Sequence, residues 1–403
     1  MKLGCLCETI FSGGTPNTSN ADYWNGEFHW LSSGETRNTY IFNTEKTITQ
    51  KGIDNSSTRL AKKNDVVIAS AGQGKTRGQV SYCMIDTYIN QSLISMRADP
   101  KLLDPKFLFY NLTSRYNELR TLSDSSSSRG SLTIPILENI DILLPPLKQQ
   151  KTIATILSNY DDLVENNSKR IKILEDIAQK IYKEWFVDFK YPGHETATFK
   201  DTELGRIPSD WEVKTLKDTI DSIKETIKPG EHLKNLRYVP IDCIPRKSFF
   251  LTTSESYKNA QSSLILFKKS DILFGNMRSY FHKVILAPFD GITRTTCFVL
   301  RPKVDNYRSW AFLTMFQDST VAYSSRNSKG ATIPYSFWED GLAEMKVIFP
   351  STKIIKAFND IINPMLENIQ QGYFKQENLK QTRDLLLPRL ISGEIDVENL
   401  EIK

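Results

Sequence analysis

The feature that most restricts how this 403-residue chain can fold is an internal repeat at a spacing near 200 residues. Lys63-Asn64-Asp65-Val66-Val67-Ile68 returns as Lys269-Ser270-Asp271-Ile272-Leu273-Phe274, 206 positions later. Arg97 and Arg301 each follow a strand-like run and lie 204 positions apart. Gly130-Ser131-Leu132-Thr133-Ile134-Pro135 is similar to Gly330-Ala331-Thr332-Ile333-Pro334, and Ile142-Leu143-Leu144-Pro145 to Lys346-Val347-Ile348-Phe349-Pro350. Leu163-Val164-Glu165-Asn166 pairs with Met365-Leu366-Glu367-Asn368, and the order is kept throughout. A duplication of this length implies two related bodies, each long enough to bury its own core.

Each half has two parts. The first is rich in short apolar runs, Gly and Pro. Residues 66–70, 79–85 and 93–97 read as strands, as do 272–274, 283–287 and 297–300. Asp104-Pro105 is a good cap and first turn for a helix to about Arg120, with 307–316 as its counterpart. The fold class expected is therefore mixed α/β, or α+β. The second part is one long helix. Apolar residues fall on heptad positions at Ile153, Tyr160, Leu174 and Ile181, and at Leu157, Val164, Ile171, Ala178 and Trp185, with Asn167 inside the stripe. A buried Asn of this kind fixes register in a helix pair at some cost in stability. The later stripe, Phe358, Ile362, Met365, Ile369, Leu379, Leu386 and Leu390, is interrupted by Gly372, Gln376 and Arg383, and Pro364 is expected to kink or break it. A helix of about 36 residues is on the order of 54 Å long, more a spacer than a core element. The two helices are expected to pair antiparallel as a coiled-coil spacer. The expected boundaries are 1–146, a first globule; 147–190, the first helix; 191–350, linker and second globule; and 351–403, the second helix and tail.

Hydrophobic residues at 39% and charged residues at 25% fit a globular chain. The net charge of +5 permits a nucleic-acid partner without demanding one. No run is long and apolar enough for a membrane span. Cys5, Cys7, Cys83, Cys243 and Cys297 are scattered and odd in number, so they form no disulfide framework and a reducing, cytoplasmic setting is expected. Catalytic signatures are missing. Gly74-Lys75-Thr76 after a strand lacks the first Gly of a phosphate loop and is followed by Gly78 and another strand, so a turn is the better reading. The four His residues make no zinc spacing with Cys or His. Glu212-Val213-Lys214 and Glu344-Met345-Lys346 lack an upstream Pro-Asp and read as charged strand edges. Trp24, Trp30, Trp310 and Trp338 read as core.

Several strings then identify a family. Lys2-Leu3-Gly4, Gly13-Gly14-Thr15-Pro16 and Tyr23-Trp24-Asn25-Gly26 open the chain. Pro145-Pro146-Leu147-Lys148-Gln149-Gln150-Lys151 leads into the first helix, and Trp185-Phe186-Val187-Asp188-Phe189 with Leu204-Gly205-Arg206-Ile207-Pro208-Ser209-Asp210-Trp211 leads out of it. Arg383-Asp384-Leu385-Leu386-Leu387-Pro388-Arg389-Leu390-Ile391-Ser392-Gly393-Glu394-Ile395 is the most specific. Together these resemble the specificity subunit of type I restriction–modification systems over the full length. Phe349-Pro350-Ser351-Thr352 departs from the family's usual start of the second helix. The resemblance implies a non-catalytic subunit with two target-recognition domains, each reading half of a split duplex DNA site. It implies two methylation subunits and two restriction–translocation subunits as partners, which would hold S-adenosylmethionine, ATP and Mg; none of these is expected on this chain. The alternatives are a self-sufficient DNA-modifying enzyme and a coiled-coil adaptor that does not touch DNA.

Base reading calls for loops bearing Arg, Lys, Gln or Asn. The candidates in the first globule are Gln73, Lys75, Thr76, Arg77, Asn90, Gln91 and Arg129. In the second they are Arg278, Tyr280, Arg294, Thr295 and Lys329. The seam is expected at Leu157, Val164, Asn167, Ile171, Leu174, Ile181 and Trp185, facing Ile362, Ile369, Leu379 and Leu386.

Overall fold

The computed structural model describes residues 1–72, 74–126, 130–251, 253–330, 332–398 and 400. Two compact units emerge, one of residues 1–164 with 379–403 and the other of residues 165–378.

The first unit contains two sheets. Its strands are β1 (Cys7–Ser12), β2 (Trp24–Leu31), β3 (Tyr40–Ile41), β4 (Lys46–Ile48), β5 (Arg59–Ala61), β6 (Val66–Ala69), β7 (Val80–Cys83), β8 (Thr87–Ile89) and β9 (Leu93–Ala98). One sheet has the order β1-β9-β6-β7-β3 and the other β4-β2-β8-β5. Val66, Val67, Ile68 and Ala69 are all buried because β6 is central and covered on both faces. Helices α1 (Gln50–Asp54), α2 (Pro105–Ser114), α3 (Tyr116–Ser126) and α4 (Ile134–Glu138) complete the unit's globule. Asp104 caps α2 by accepting from the Phe107 amide at 2.9 Å. The helix expected to reach Arg120 is instead two, divided at Arg115, whose amide bonds only three residues back to Leu112.

The long helix α5 (Leu147–Phe186) follows, and the chain ends in a second one. The second unit opens with the hairpin β10 (Phe199–Thr202) and β11 (Gly205–Pro208), then β12 (Glu212–Thr215) and α6 (Leu216–Thr219). Strands β13 (Ile220–Ile223), β14 (Thr226–Ile227), β15 (Arg237–Tyr238), β16 (Glu255–Ser256), β17 (Leu264–Phe267), β18 (Ile272–Gly275), β19 (Val284–Leu286), β20 (Gly291–Arg294) and β21 (Cys297–Pro302) come next. Helices α7 (Arg308–Met315) and α8 (Asp318–Arg326), strand β22 (Lys346–Phe349) and helix α9 (Thr352–Ile391) close the chain. The sheets have the orders β13-β21-β18-β19 and β16-β15-β20-β17-β14. Four strands of each sheet repeat the first unit in order, while β3 has no counterpart beside β19 and β14 is an added edge strand next to β17. Even the parallel pair of β2 with β8 returns as β15 with β20.

A polar staple fixes the repeat. Asp65 accepts from Arg97 at 2.9 and 2.8 Å and from the Lys62 amide at 2.9 Å. Asp271 accepts from Arg301 at 2.7 and 2.7 Å and from the Lys268 amide at 2.7 Å. Both carboxylates are buried, and both are held bidentate by a guanidinium on the neighbouring strand. Next to each, Asn64 and Ser270 take the left-handed conformation at φ 75° and 71°.

Within each unit the two long helices run antiparallel. In the first, Ile153, Ala154 and Leu157 share a core with Leu387, Leu390 and Ile391, and Asp161 meets Arg383 at 2.5 Å. Val164, Leu379 and Leu386 are half-buried there. In the second, Asn167 donates to the Gly372 carbonyl at 2.5 Å, while Trp185 and Phe186 pack on Phe358 with ring centres 5.6 and 4.7 Å apart. Ile171, Leu174 and Ile181 pack against the core that holds Ile362 and Ile369.

Three expectations for the second helix need correction. Pro364 does not break it, and α9 is continuous through both Pro364 and Pro388. Gly372 is a point of close approach, since an added Cβ would stand 3.0 Å from Ile171. Gln376 and Arg383 do not interrupt the seam but bond across it, to Ser168 at 2.5 Å and to Asp161. A polar residue on an apolar stripe reads as a defect in sequence and is a contact when its partner lies on the facing helix.

Candidate nucleic-acid interface

Three loops meet at one end of the first sheet in each unit, and the same three hydrogen-bonding positions join them. In the first unit the Ser70 amide donates to the Ser92 carbonyl, and the Leu132 amide donates to the Ser70 carbonyl, both at 2.9 Å. In the second, the Asn276 amide donates to Thr296 at 3.0 Å and the Ser336 amide donates to the Asn276 carbonyl at 2.9 Å. The segments after β6 and β18, before β9 and β21, and after α3 and α8 are thereby gathered.

This junction revises one sequence match. Ser336 stands where Leu132 does, an offset of 204, so Gly330-Ala331-Thr332-Ile333-Pro334 is not the counterpart of Gly130 to Pro135. On either side of that string Lys329 and Tyr335 exchange two backbone hydrogen bonds of 2.9 Å. A short Ile-Pro string matched by chance, and the backbone pairing decides against it.

The candidate residues of the first unit divide. Lys75 and Gln91 are exposed, and Thr76 is half-buried. Gln91 accepts from the Thr15 hydroxyl. Arg77 turns inward. It is 8% exposed, its guanidinium is paired with Asp124, and Gly130 leaves the room it needs, because a Cβ there would collide with it. Asn90 is also 8% exposed, and its side-chain oxygen accepts from the Ser92 amide at 3.1 Å. Both residues are committed to holding the loops together. Gln73 and Arg129 lie outside the described residues. Tyr116 and Arg120 of α3 donate to the Lys75 and Gly74 carbonyls and brace the loop from behind.

In the second unit the candidates gather more closely. Arg278 and His282 flank a short turn at φ 51° and 52°. The Arg278 amide, two residues before Tyr280, donates to the Pro334 carbonyl at 2.8 Å, which ties this turn to the 329–335 segment. Arg294 and Thr295 are exposed at the end of β20, and the Thr295 carbonyl accepts from the Asn276 side chain at 2.9 Å. Burial pushes the neighbouring Tyr238 hydroxyl upward, while Arg294 beside it pulls the other way.

Sequence reading missed Arg246. It is exposed, and its guanidinium lies 3.9 Å from the centre of the Phe281 ring. With Met277, Arg278, Phe281 and Lys283 it lines a cavity of about 380 Å³. The only sequence hint was two cations directly after Ile244-Pro245. Nearby, His282 bonds Asp318 at 3.0 Å, and burial holds its imidazole below the usual range. Trp30, Trp310 and Trp338 are core, whereas Trp24 is half-exposed, with Lys46 5.4 Å above its ring. Among the described residues no group of three His, Cys, Asp or Glu is placed to hold a metal ion, and no helix is long and apolar enough to cross a membrane. The geometry offers two similar platforms of loops with different side chains.

The chain matches the family model described as type I restriction modification DNA specificity domain over residues 1–176 and again over 208–373. It is 27% identical to the type I restriction enzyme MjaIX specificity subunit of Methanocaldococcus jannaschii, over 97% of this chain and 92% of that protein. It is 21% identical to the HindI specificity subunit of Haemophilus influenzae, over 91% of this chain and 94% of that protein. Among solved structures, the S subunit of a type I restriction-modification system from M. genitalium covers 97% of this chain and 95% of its own, with a TM-score of 0.59 at 16% identity, a likeness of fold.

Proposed function

The chain belongs to the type I restriction–modification DNA specificity family, and from that premise we propose that it is a DNA-specificity subunit whose two units each read one half of a bipartite, asymmetric duplex site. The observation that carries this reading is the repeated three-loop junction with different residues on it. Phosphate contacts position a protein on duplex DNA, and side chains at base edges supply the sequence. One frame used twice gives equivalent positioning, and where the first unit turns Asn90 inward and exposes Gln91, the second exposes Arg294-Thr295, which would give different readout. Arg294, exposed at a strand end, suits a bidentate contact to guanine. Lys75, Gln91, Arg246, Arg278 and Lys329 complete the candidate set, and Arg77 and Asn90 support it from within.

In this reading the chain supplies no reacting group. Two methylation subunits would bring S-adenosylmethionine, and two restriction–translocation subunits ATP and Mg. The test is to co-express the chain with its methylation partners and map methylated adenines. Exchanging the 276–282 loop should change the bases in one half-site and leave the other half-site and the gap intact. A change in both halves would refute the assignment of one unit to one half. Methylation or cleavage by the purified chain alone would favour a self-sufficient enzyme. An assembled complex that shows no salt-dependent retention on duplex DNA would favour an adaptor.

A further inference from the structure

The loop end of the second unit carries an exposed aromatic group that its repeat lacks. Tyr280 and Phe337 are 53% and 47% exposed, and Ile333 and Tyr335 on the linked segments are open too. Backbone pairing holds them together. Met277 and Lys329 each bridge to Tyr335, and Arg278 bonds Pro334. The Tyr335 hydroxyl donates to Met277 Sδ at 3.3 Å, and Lys329 Nζ lies 5.5 Å from the centre of the Phe337 ring. Neither Arg278 nor Lys329 has a carboxylate partner among the described residues. The carboxylate of Glu339, two residues past Phe337, is already paired with Lys224.

Counted from the shared junction, Tyr335 and Phe337 correspond to Ser131 and Thr133. On the 206-residue offset, Tyr280 corresponds to Gly74 and Arg278 to Gly72. The first unit uses glycine where the backbone turns to positive φ, at Gly72 and Gly74. The second keeps Arg278 in such a conformation, where a side chain is strained. Two copies of a methylation subunit would meet surfaces that the repeat preserves. A surface present in one unit and absent from the other belongs with what distinguishes the half-sites. The flanking unpaired cations point the same way, toward phosphates.

We propose that Tyr280, Tyr335 and Phe337 form an aromatic wedge that enters the DNA at the half-site read by the second unit, stacking against an opened base step while Arg278 and Lys329 hold the flanking phosphates. The inference rests on the two-half-site reading above. It makes the second half-site partly dependent on deformability, favouring a flexible pyrimidine–purine step, while the first unit reads an unopened duplex.

The experiment uses the chain assembled with its methylation subunits on a duplex carrying the site mapped from methylated adenines. Binding is measured by titration, and the bend by energy transfer between fluorophores on the duplex ends. Phe337→Ala and Tyr280→Ala are expected to weaken binding about 5- to 150-fold each, the effect of losing one base–aromatic stack. They should also remove a kink of roughly 20–90°. Tyr280→Phe should keep both, Phe337→Leu, which keeps an apolar wedge but has no ring to stack, should weaken binding and keep the kink, and Ser131→Ala with Thr133→Ala should change neither. Unchanged affinity and bend in the Tyr280→Ala/Phe337→Ala double variant would overturn the wedge and leave the specificity reading standing, because the parent complex still discriminates the site. A folded variant that no longer assembles on a sizing column would make the patch a protein-docking surface and also overturn the wedge. A parent complex that discriminates no site would remove the reading on which the wedge rests.

Discussion

The two units share a frame and differ most in side-chain chemistry at the loop end and at the seat of the long helices. In the first unit Asp161, buried on α5, accepts from Tyr40 at 2.8 Å, Tyr110 at 2.5 Å and Arg383 at 2.5 Å. The repeat puts Asn363 at the matching position of α9. It is exposed, and it accepts from the Ser309 hydroxyl at 2.5 Å. The second unit seats its helices on rings instead, with Phe186, Trp211, Tyr182 and Phe358 packed together. A charged network and an aromatic cluster thus do the same job in two copies of one design. The staple of Asp65 with Arg97, kept as Asp271 with Arg301, marks what the design cannot exchange.

The comparison can be broken most forcefully at that staple. Asp65→Ala and Asp271→Ala should each lower unfolding free energy by about 3 kcal/mol, because each strands a half-buried guanidinium and a backbone amide. Urea melts should give costs within about 1 kcal/mol of each other, and a large cost at only one position would end the equivalence. Next comes the helix seat. Asp161→Asn should cost about 2 kcal/mol through the weakened bond to Arg383. Asn363→Asp, at an exposed position, should cost less than about 0.5 kcal/mol. Equal costs would mean that the first unit does not depend on its charge.

Arg294→Ala should cost about 1–3 kcal/mol of DNA affinity and relax one position of one half-site. Asn90→Ala at the matching loop should instead lower stability by about 1 kcal/mol and leave the methylation pattern unchanged. Genome methylation maps and thermal melts would separate the two. The smallest effect concerns Glu175 of the second unit, which accepts from the Phe249 amide at 2.7 Å and the Ser248 hydroxyl at 3.0 Å. Burial pushes its carboxyl above the usual range, and those two donors offset this only in part. A carboxyl raised by folding contributes stability that is fully present below its ordinary value of 4.5 and is lost as pH rises through the raised one. Glu175→Gln should therefore gain on the parent chain as pH climbs past 4.5 and converge with it in acid. Parallel stability curves would exclude Glu175 as the source.

The legible part of the fold lay in local pattern. The buried strand β6 reads as a run of Val and Ile, the cap of α2 as Asp104-Pro105, and the heptads of α5 as a stripe. The match of Asp65 and Arg97 to Asp271 and Arg301 was visible as a repeat, but nothing in either string said that the two residues bond. The candidate site was less legible. Lys75, Arg278, Arg294 and Lys329 stand in or beside loops at the gathered end, as their types suggest. Arg77 and Asn90, chosen on the same grounds, turn inward because Asp124 and the Ser92 amide claim them.

What the sequence alone determined was duplication, mixed α/β halves, two long helices and family, since repetition, periodicity and signature strings are written in neighbouring residues. Tertiary structure alone decided which polar residues face solvent and which face one another. It set Gln376 on Ser168, Arg383 on Asp161 and Ser336 in the place of Leu132. The reason is physical. Whether a charged or amide group is exposed or held depends on partners many positions away, and only the folded backbone brings those partners within hydrogen-bonding distance.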